Sequence, residues 1–229
     1  MIRALYTAAS GLVAQANKQD VIANNIANAQ SPGFKREKVV SSSFAQELGS
    51  QIAMAVDRER PPYPNSKVDS VIVSTTSARD NSQGPIRETG NSFDFAIDGP
   101  GAFEVSTSNG TMLTRAGNFR LDSEGELCTA DGAKVLGENG TIEIPDGKLS
   151  VAADGEVSVD GMPIDKIKIV GAQEDQTKLM QGCIEGANVN IVREMVDMIT
   201  NVRAFEANQK VVSAVDGTLN KLINSAGQT

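Results

Sequence analysis

The last forty residues of the chain repeat apolar side chains at alternating steps of three and four residues. Eight of the ten repeat positions are apolar, and the full set is Ile191, Met195, Met198, Val202, Phe205, Gln209, Val212, Asp216, Leu219 and Ile223. A spacing near 3.5 residues is typical of a helix face that packs against another helix. No proline interrupts the pattern, and a helix of about 35 residues is ~50 Å long. We therefore expect one long helix whose partner is another long helix or a copy of itself.

The beginning of the chain carries a second pattern with the same spacing. Its positions are Ile2, Leu5, Ala9, Leu12, Ala16, Gln19, Ala23 and Ile26. Because this face is built largely of alanine, its partner has to approach closely. Ser31-Pro32-Gly33 then predicts the end of the helix, since proline disfavours helix in the preceding residue and glycine permits a turn.

The middle of the chain has the signals of antiparallel strands. Asn-Gly and Asp-Gly pairs supply the positive φ angles of tight hairpin turns, and they recur at positions 98, 109, 131, 139, 146, 154 and 160. The alternating runs between turns predict strands at 93–97, 102–107, 111–115, 118–121, 126–129, 141–144, 149–152, 156–159 and 164–170. We expect a meander of hairpins closed as a small sandwich or irregular barrel, with 172–187 as a return connector.

The predicted fold class is therefore α+β, with long N- and C-terminal helices that pair as a coiled coil around an inserted all-β domain. Residues 1–36 and 187–229 form the helical domain, 37–85 an extended connector, and 86–186 the β-rich domain. Within the connector, Phe44 and Val56 bound a pattern of helical spacing near 41–56, and 68–75 reads as a strand. Residues 60–64 (RPPYP) favour a stiff spacer over a PxxP ligand.

Composition excludes several classes of function. The net charge of −8 argues against nucleic acid and against an anionic membrane surface. The chain has no uninterrupted run of eighteen apolar residues, so we expect no membrane span. The N-terminus does not resemble a cleavable signal peptide. The absence of histidine removes the commonest general base and catalytic metal ligand. Because no nucleophile with a matching base can be assembled, we expect no enzyme activity, no cofactor and no small-molecule substrate.

Three smaller motifs favour structural interpretations. Gly99-Pro100-Gly101 lacks the third glycine and the helix of a phosphate loop. Residues 122–126 (DSEGE) lack the twelve-residue calcium pattern and favour a hairpin turn. Cys128 and Cys183 are too few for a zinc site; two small core side chains are favoured over a disulfide.

Several segments of the chain resemble one known family. Residues 20–28 (DVIANNIAN) and 31–35 (SPGFK) resemble the N-terminal signature of bacterial flagellar rod and hook proteins. Residues 117–122 (GNFRLD) with Gly125 and Leu127 resemble the internal strand pair of the family. At the C-terminal end, 185–190 (EGANVN), 195–199 (MVDMI) and 203–208 (RAFEAN) resemble its final helix.

The resemblance implies a structural subunit of the flagellar basal-body rod, which crosses the periplasm and transmits torque to the hook. Family members leave the cell unfolded through the flagellar type III export apparatus, without a cleaved signal peptide. Their terminal helices form an inner coiled-coil tube with the β domain outside, so the implied partners are copies of the chain and other axial proteins. Leu113 departs from the usual aromatic of the family, and the short β domain argues against the larger hook protein. Proximal and distal rod subunits both stay open.

The pattern and the resemblance together select eight side chains for the assembly interface. They are Leu5, Leu12 and Ile26 in the first helix, and Met195, Met198, Val202, Phe205 and Val212 in the last. The alternative function is a secreted, oligomeric, adhesin-like binding module in which the β domain holds a ligand; an enzyme is a distant third.

Overall fold

The computed structural model describes residues 2–43, 73–145, 147–173 and 176–226. It contains two long helices and fifteen short strands among these residues, so the chain is an α+β protein. The chain divides into two compact units. The helical unit holds residues 1–26, 37–80 and 190–229, and the β-rich unit holds 27–36 and 81–189.

Helix α1 spans Ile2–Ala27 and helix α2 spans Ile191–Ala226. The predicted stop after α1 is confirmed: Ser31 N donates to Asn28 O at 3.0 Å, and Gly33 takes a φ of 68°. At the other end, Asn190 caps α2, because its Oδ1 accepts from the backbone N of Arg193 at 3.1 Å. That is the geometry by which an N-cap side chain satisfies one of the free amides of the first turn. Neither helix is long and apolar enough, over its described residues, to cross a membrane.

A two-stranded ribbon completes the helical unit. Strand β1, Glu37–Ser43, pairs antiparallel with β2, Val73–Arg79. Two ion pairs flank its open end, Lys38 to Asp80 at 2.6 Å and Arg79 to Glu37 at 3.6 Å. The predicted helix near 41–56 is wrong at 41–43, which lie in β1, and its remainder falls outside the described residues. Of the predicted strand at 68–75, residues 73–75 lie in β2. Residues 68–72 fall outside the described residues.

Among its described residues, the β-rich unit contains thirteen strands. They are β3 (Ile86–Glu88), β4 (Phe95–Asp98), β5 (Ala102–Thr107), β6 (Gly110–Thr114), β7 (Arg120–Leu121), β8 (Leu127–Cys128), β9 (Lys134–Val135), β10 (Leu149–Val151), β11 (Glu156–Val159), β12 (Met162–Lys166), β13 (Ile169–Val170), β14 (Lys178–Gln181) and β15 (Cys183–Glu185). All pairings are antiparallel. One sheet has the order β13-β5-β9-β8-β7, with β6 also on β5; another has the order β10-β11-β12. The late strands β14 and β15 pair with the early strands β4 and β3.

The core of this unit, over its described residues, is a hydrophobic cluster to which the strands and the loops between them both contribute side chains. Phe95, Phe103 and Phe119 belong to it, and the rings of Phe103 and Phe119 meet edge to face at 5.1 Å. Tilted and edge-to-face arrangements are the favoured geometries of aromatic pairs. Cys128 and Cys183 are both buried and free, as small core side chains would be.

Several predicted strands agree with the structure and others do not. The bounds of β5 and β11 match the prediction at both ends, because Asp-Gly or Gly-rich turns bracket them. Residues 141–144 form only isolated bridges. The predicted connector at 172–187 is wrong, since it contains β14 and β15, and β3 and β9 were not predicted. Strands β3, β14 and β15 pair with residues far away in sequence, which local turn chemistry does not reveal, whereas β9 follows β8 across a short turn.

Candidate assembly site

The two long helices of the helical unit lie antiparallel. Three contacts define their alignment: Asn25 with Glu194, Gln19 with Asn201, and Gly11 with Asn208. Between the first and the last contact both helices advance by fourteen residues, so the alignment is kept over about 21 Å at ~1.5 Å per residue. The two helices approach closely at Gly11, where a Cβ would be 3.3 Å from the amide nitrogen of Asn208.

Buried polar contacts fix this alignment where α1 ends and α2 begins. Asn25 and Glu194 are both almost fully buried. The Nδ2 of Asn25 donates to Glu194 Oε2 at 3.2 Å and to Glu37 O at 2.8 Å, and its Oδ1 accepts from Glu37 N at 2.9 Å. One amide side chain therefore joins α1 to α2 and to the start of β1. A buried polar group that is satisfied in only one alignment favours that alignment over a slipped one.

A second buried amide lies further along α2. Asn201 donates from Nδ2 to Gln15 O at 2.8 Å and to Gln19 Oε1 at 2.9 Å. Beside it is a cavity of about 260 Å³. The lining side chains are Gln15, Ala16, Gln19, Asp20, Asn201, Val202 and Phe205.

The side of α2 that faces away from α1 is apolar and exposed. Glu194, Asn201 and Asn208 follow one face at intervals of seven residues. With about 100° of rotation per residue, Val192, Val196 and Ile199 lie between about 140° and 180° away from Asn201. Val192 is 72% exposed, and Val196 and Ile199 are also more than half exposed. We call these three residues the outer stripe of α2.

The eight side chains selected from the sequence do not form one continuous face in this chain. Met198, Phe205 and Val212 are half-buried, while Met195 and Val202 are 49% and 41% exposed. In α1, Leu12 and Ile26 are half-buried, and Leu5 belongs to the helix although its side chain is not among those described. Their role in assembly stays a prediction. The outer stripe was missed, although its steps of four and three residues are readable from the sequence.

A second cluster lies inside the β-rich unit and is centred on Glu185. This carboxylate is fully buried. Its Oε1 accepts from Lys35 Nζ at 2.6 Å and from Gly84 N at 2.8 Å, and its Oε2 accepts from Arg115 Nη1 at 3.0 Å. Burying a charge is tolerated when it is paired and its remaining lone pairs are satisfied, and both conditions hold here.

The Glu185 cluster brings together three of the motifs on which the resemblance rests. Lys35 belongs to 31–35, Arg115 precedes 117–122, and Glu185 begins 185–190. The backbone joins them too, because Gly33 N donates to Glu185 O at 2.8 Å. A side chain on Gly33 would collide with the backbone of Arg115 and Ala116. These residues therefore hold the loop that follows α1 against the β strands of its own unit.

The acidic turn between β7 and β8 is a hairpin turn, and its glutamates form ion pairs with a lysine of β9. Asp122, Glu124 and Glu126 place carboxylate oxygens within 4.8 Å of one another, and Lys134 forms ion pairs with Glu124 and Glu126. The hydrogen bond from Lys134 lowers the pKa of Glu126, and the same bond raises the pKa of Lys134. The backbone N–H of Glu126 lowers the pKa of Asp122. The hairpin turn favoured by the sequence is the one observed.

Comparison with known proteins gives matches along nearly the whole chain. Residues 5–35 match the family described as flagella basal body rod protein. Residues 96–159 match the FlgE/F/G D1 domain of flagellar hook proteins. Residues 180–225 match the C-terminal region of flagellar basal body rod FlgEFG proteins.

Individual relatives have similar lengths and related names. Flagellar basal-body rod protein FlgG of Bacillus subtilis (strain 168) is 31% identical, over 98% of this chain and 99% of the relative. Flagellar basal-body rod protein FlgF of Escherichia coli (strain K12) is 30% identical, over 98% and 99%. FlgG of Agrobacterium fabrum (strain C58 / ATCC 33970) is 30% identical, over 94% and 96%.

Proposed function

Because this chain belongs to the flagellar basal-body rod protein family, we propose that it polymerises helically through its terminal helices into the rod that transmits torque to the hook. Its relatives are structural rod proteins, and the chain is accordingly a structural protein of the flagellum and not an enzyme. The proposal adds the mode of assembly and the mechanical role to that family membership.

The outer stripe of α2 is the observation that supports this mode of assembly. Val192, Val196 and Ile199 expose apolar surface on a helix whose other face is occupied by α1. Fully burying one such side chain contributes roughly 1.5–3 kcal/mol. A stripe that no described residue of the chain covers therefore favours docking against a neighbouring subunit.

The finer architecture belongs to the same proposal. Residues 1–36 with 187–229 form the helical domain, whose antiparallel contacts support a coiled-coil pairing of α1 and α2 in the inner tube. Residues 37–85 form the connector, and 86–186 form the outer, β-rich domain, in which the long-range pairing of β14 and β15 supports a closed, barrel-like arrangement. The eight interface side chains selected from the sequence, of which Leu5 is the first and Val212 the last, are proposed to lie in this tube.

The proposed partners are copies of the chain, other rod and hook proteins, and the flagellar export apparatus. The proposed location is the rod where it crosses the periplasm. The alternative, an adhesin-like module, would need a ligand-binding surface on the β-rich unit. The named relatives and the exposed outer stripe favour the rod.

Replacing Phe205 by alanine tests the proposal. Full removal of a buried phenylalanine costs about 3–5 kcal/mol, and Phe205 is half-buried within the chain. Only the burial that a neighbouring subunit adds to Phe205 affects association. We expect its loss to weaken self-association by about tenfold to a hundredfold, measured by sedimentation velocity over a concentration series. Limited proteolysis is expected to leave a resistant β-rich core near 70–185 in both proteins.

Leu113→Ala is the matched control, because Leu113 is an apolar residue of β6, outside the terminal helices, that is about half exposed. It is expected to associate as the wild type does. Secretion of the Phe205→Ala protein with wild-type motility would count against assembly through the terminal helices.

A further inference from the structure

The cavity beside Asn201 has one unsatisfied acceptor. Asn201 is 3% exposed, and its Oδ1 accepts no hydrogen bond from any residue that the structure describes. The orientation of the amide is fixed, because its Nδ2 donates to the carbonyl oxygen of Gln15, which can only accept. The oxygen therefore cannot exchange places with the nitrogen. A buried acceptor without a donor is destabilising, and such groups are rare in folded proteins.

The lining of the cavity favours a particular kind of donor. Ala16, Val202 and Phe205 contribute apolar surface, and Asp20 contributes an exposed carboxylate at the rim. An apolar wall with acceptor oxygens suits a side chain that has an aliphatic stem and a cationic head. Arginine fits best, since its guanidinium carries five N–H donors and is less strongly hydrated than an ammonium group.

Such a side chain is present on the opposite side of the same helix. Arg203 continues the outer stripe, four residues after Ile199 and seven after Val196. It is exposed and forms no hydrogen bond or ion pair with the described part of the chain. About 160° of rotation separates it from Asn201 around α2, so the two residues do not meet within one subunit.

We propose that Arg203 of a second copy of this chain enters the cavity of the first copy and donates a hydrogen bond to Asn201 Oδ1. The proposal rests on the proposed function, because it places the outer stripe of one copy on the α1–α2 groove of the next. Donor and cavity lie on opposite sides of one helix, so each copy is joined to two different neighbours. A contact of this heterologous kind extends into a filament and does not close as a symmetric dimer.

The test is a double-substitution cycle on the full-length chain. Arg203→Met keeps the apolar stem and removes every donor. Asn201→Leu keeps the size and removes the acceptor, together with the Nδ2 hydrogen bonds to Gln15 and Gln19, and both arms of the cycle are therefore compared within that background. Self-association is measured by sedimentation velocity over a concentration series for wild type, both single variants and the double variant. Thermal unfolding of dilute samples verifies that each variant folds. Lys210→Met is the matched control, because it removes an exposed cation from the same side of the same helix, seven residues after Arg203, and so separates the specific contact with Asn201 from a general effect of charge.

We expect Arg203→Met to weaken association by about 10- to 100-fold, as losing a charged hydrogen bond does. Lys210→Met should change it by about fivefold at most. In the Asn201→Leu background, adding Arg203→Met should have little further effect, since the partner is already gone. Independent, multiplying effects of the two substitutions would overturn the proposal, as would equal effects of Arg203→Met and Lys210→Met.

The outcome also separates this proposal from the proposed function. If Phe205→Ala weakens association and Arg203→Met does not, assembly through the helices stands and the Arg203 contact fails. If the wild-type chain stays monomeric throughout, a second copy is not the occupant of the cavity.

Discussion

Replacing Glu185 by alanine is expected to lower the free energy of unfolding of the β-rich unit by about 3–5 kcal/mol. The substitution leaves Lys35 and Arg115 without their shared carboxylate and removes the acceptor of Gly84 N. Uncompensated charges at a buried site cost far more than the pair itself contributes. Denaturant unfolding, followed by circular dichroism, measures the loss.

Glu138→Ala is the control for this prediction. Glu138 is an exposed glutamate of the same unit, and its removal is expected to change the free energy of unfolding by about 0.5 kcal/mol or less. Equal losses from the two substitutions would contradict the central position given to Glu185. A normal unfolding curve for Glu185→Ala would do so as well.

Placing an aspartate at Ile199 is expected to abolish assembly while the chain still folds. Ile199 is exposed in the isolated chain, so the new carboxylate stays solvated there. In the proposed assembly it would be buried while Arg203, four residues further along the helix, is engaged with Asn201 of the next copy, and burying an unpaired charge costs about 3–5 kcal/mol and weakens association more than a hundredfold. Sedimentation velocity on the purified protein measures this, and motility of cells that carry only the variant provides a second readout.

Met162→Asp is the matched control for this substitution. Met162 is 74% exposed and lies in β12 of the β-rich unit, so it offers exposed apolar surface outside the proposed interface. We expect it to assemble like the wild type. Loss of assembly in Met162→Asp together with normal assembly in Ile199→Asp would transfer the interface to the β-rich unit.

The parts of the fold that follow from local chemistry were predictable. A spacing near 3.5 residues persists over the length of α2, and no strand pattern imitates it over such a distance. Asp154-Gly155 and Asp160-Gly161 bracket β11, so its bounds could be read directly. In contrast, β14 and β15 pair with strands about eighty to a hundred residues earlier, and their short sequences have no turn signal that identifies those partners.

The candidate site was predictable only in part, for two physical reasons. The side of α2 that packs on α1 carries the polar residues Glu194, Asn201 and Asn208, which a search for apolar periodicity does not select. Glu185 was noted only as part of a motif. The burial of a charge depends on where distant residues such as Lys35 and Arg115 come to lie, and neither composition nor spacing encodes that.

Electron cryo-microscopy of the assembled chain is the most direct test of assembly through the terminal helices. We predict a tubular particle in which Val192, Val196 and Ile199 of each copy are buried against the helices of a neighbouring copy. A particle whose contacts are made entirely by residues 81–189, with these three side chains still exposed to solvent, would contradict it.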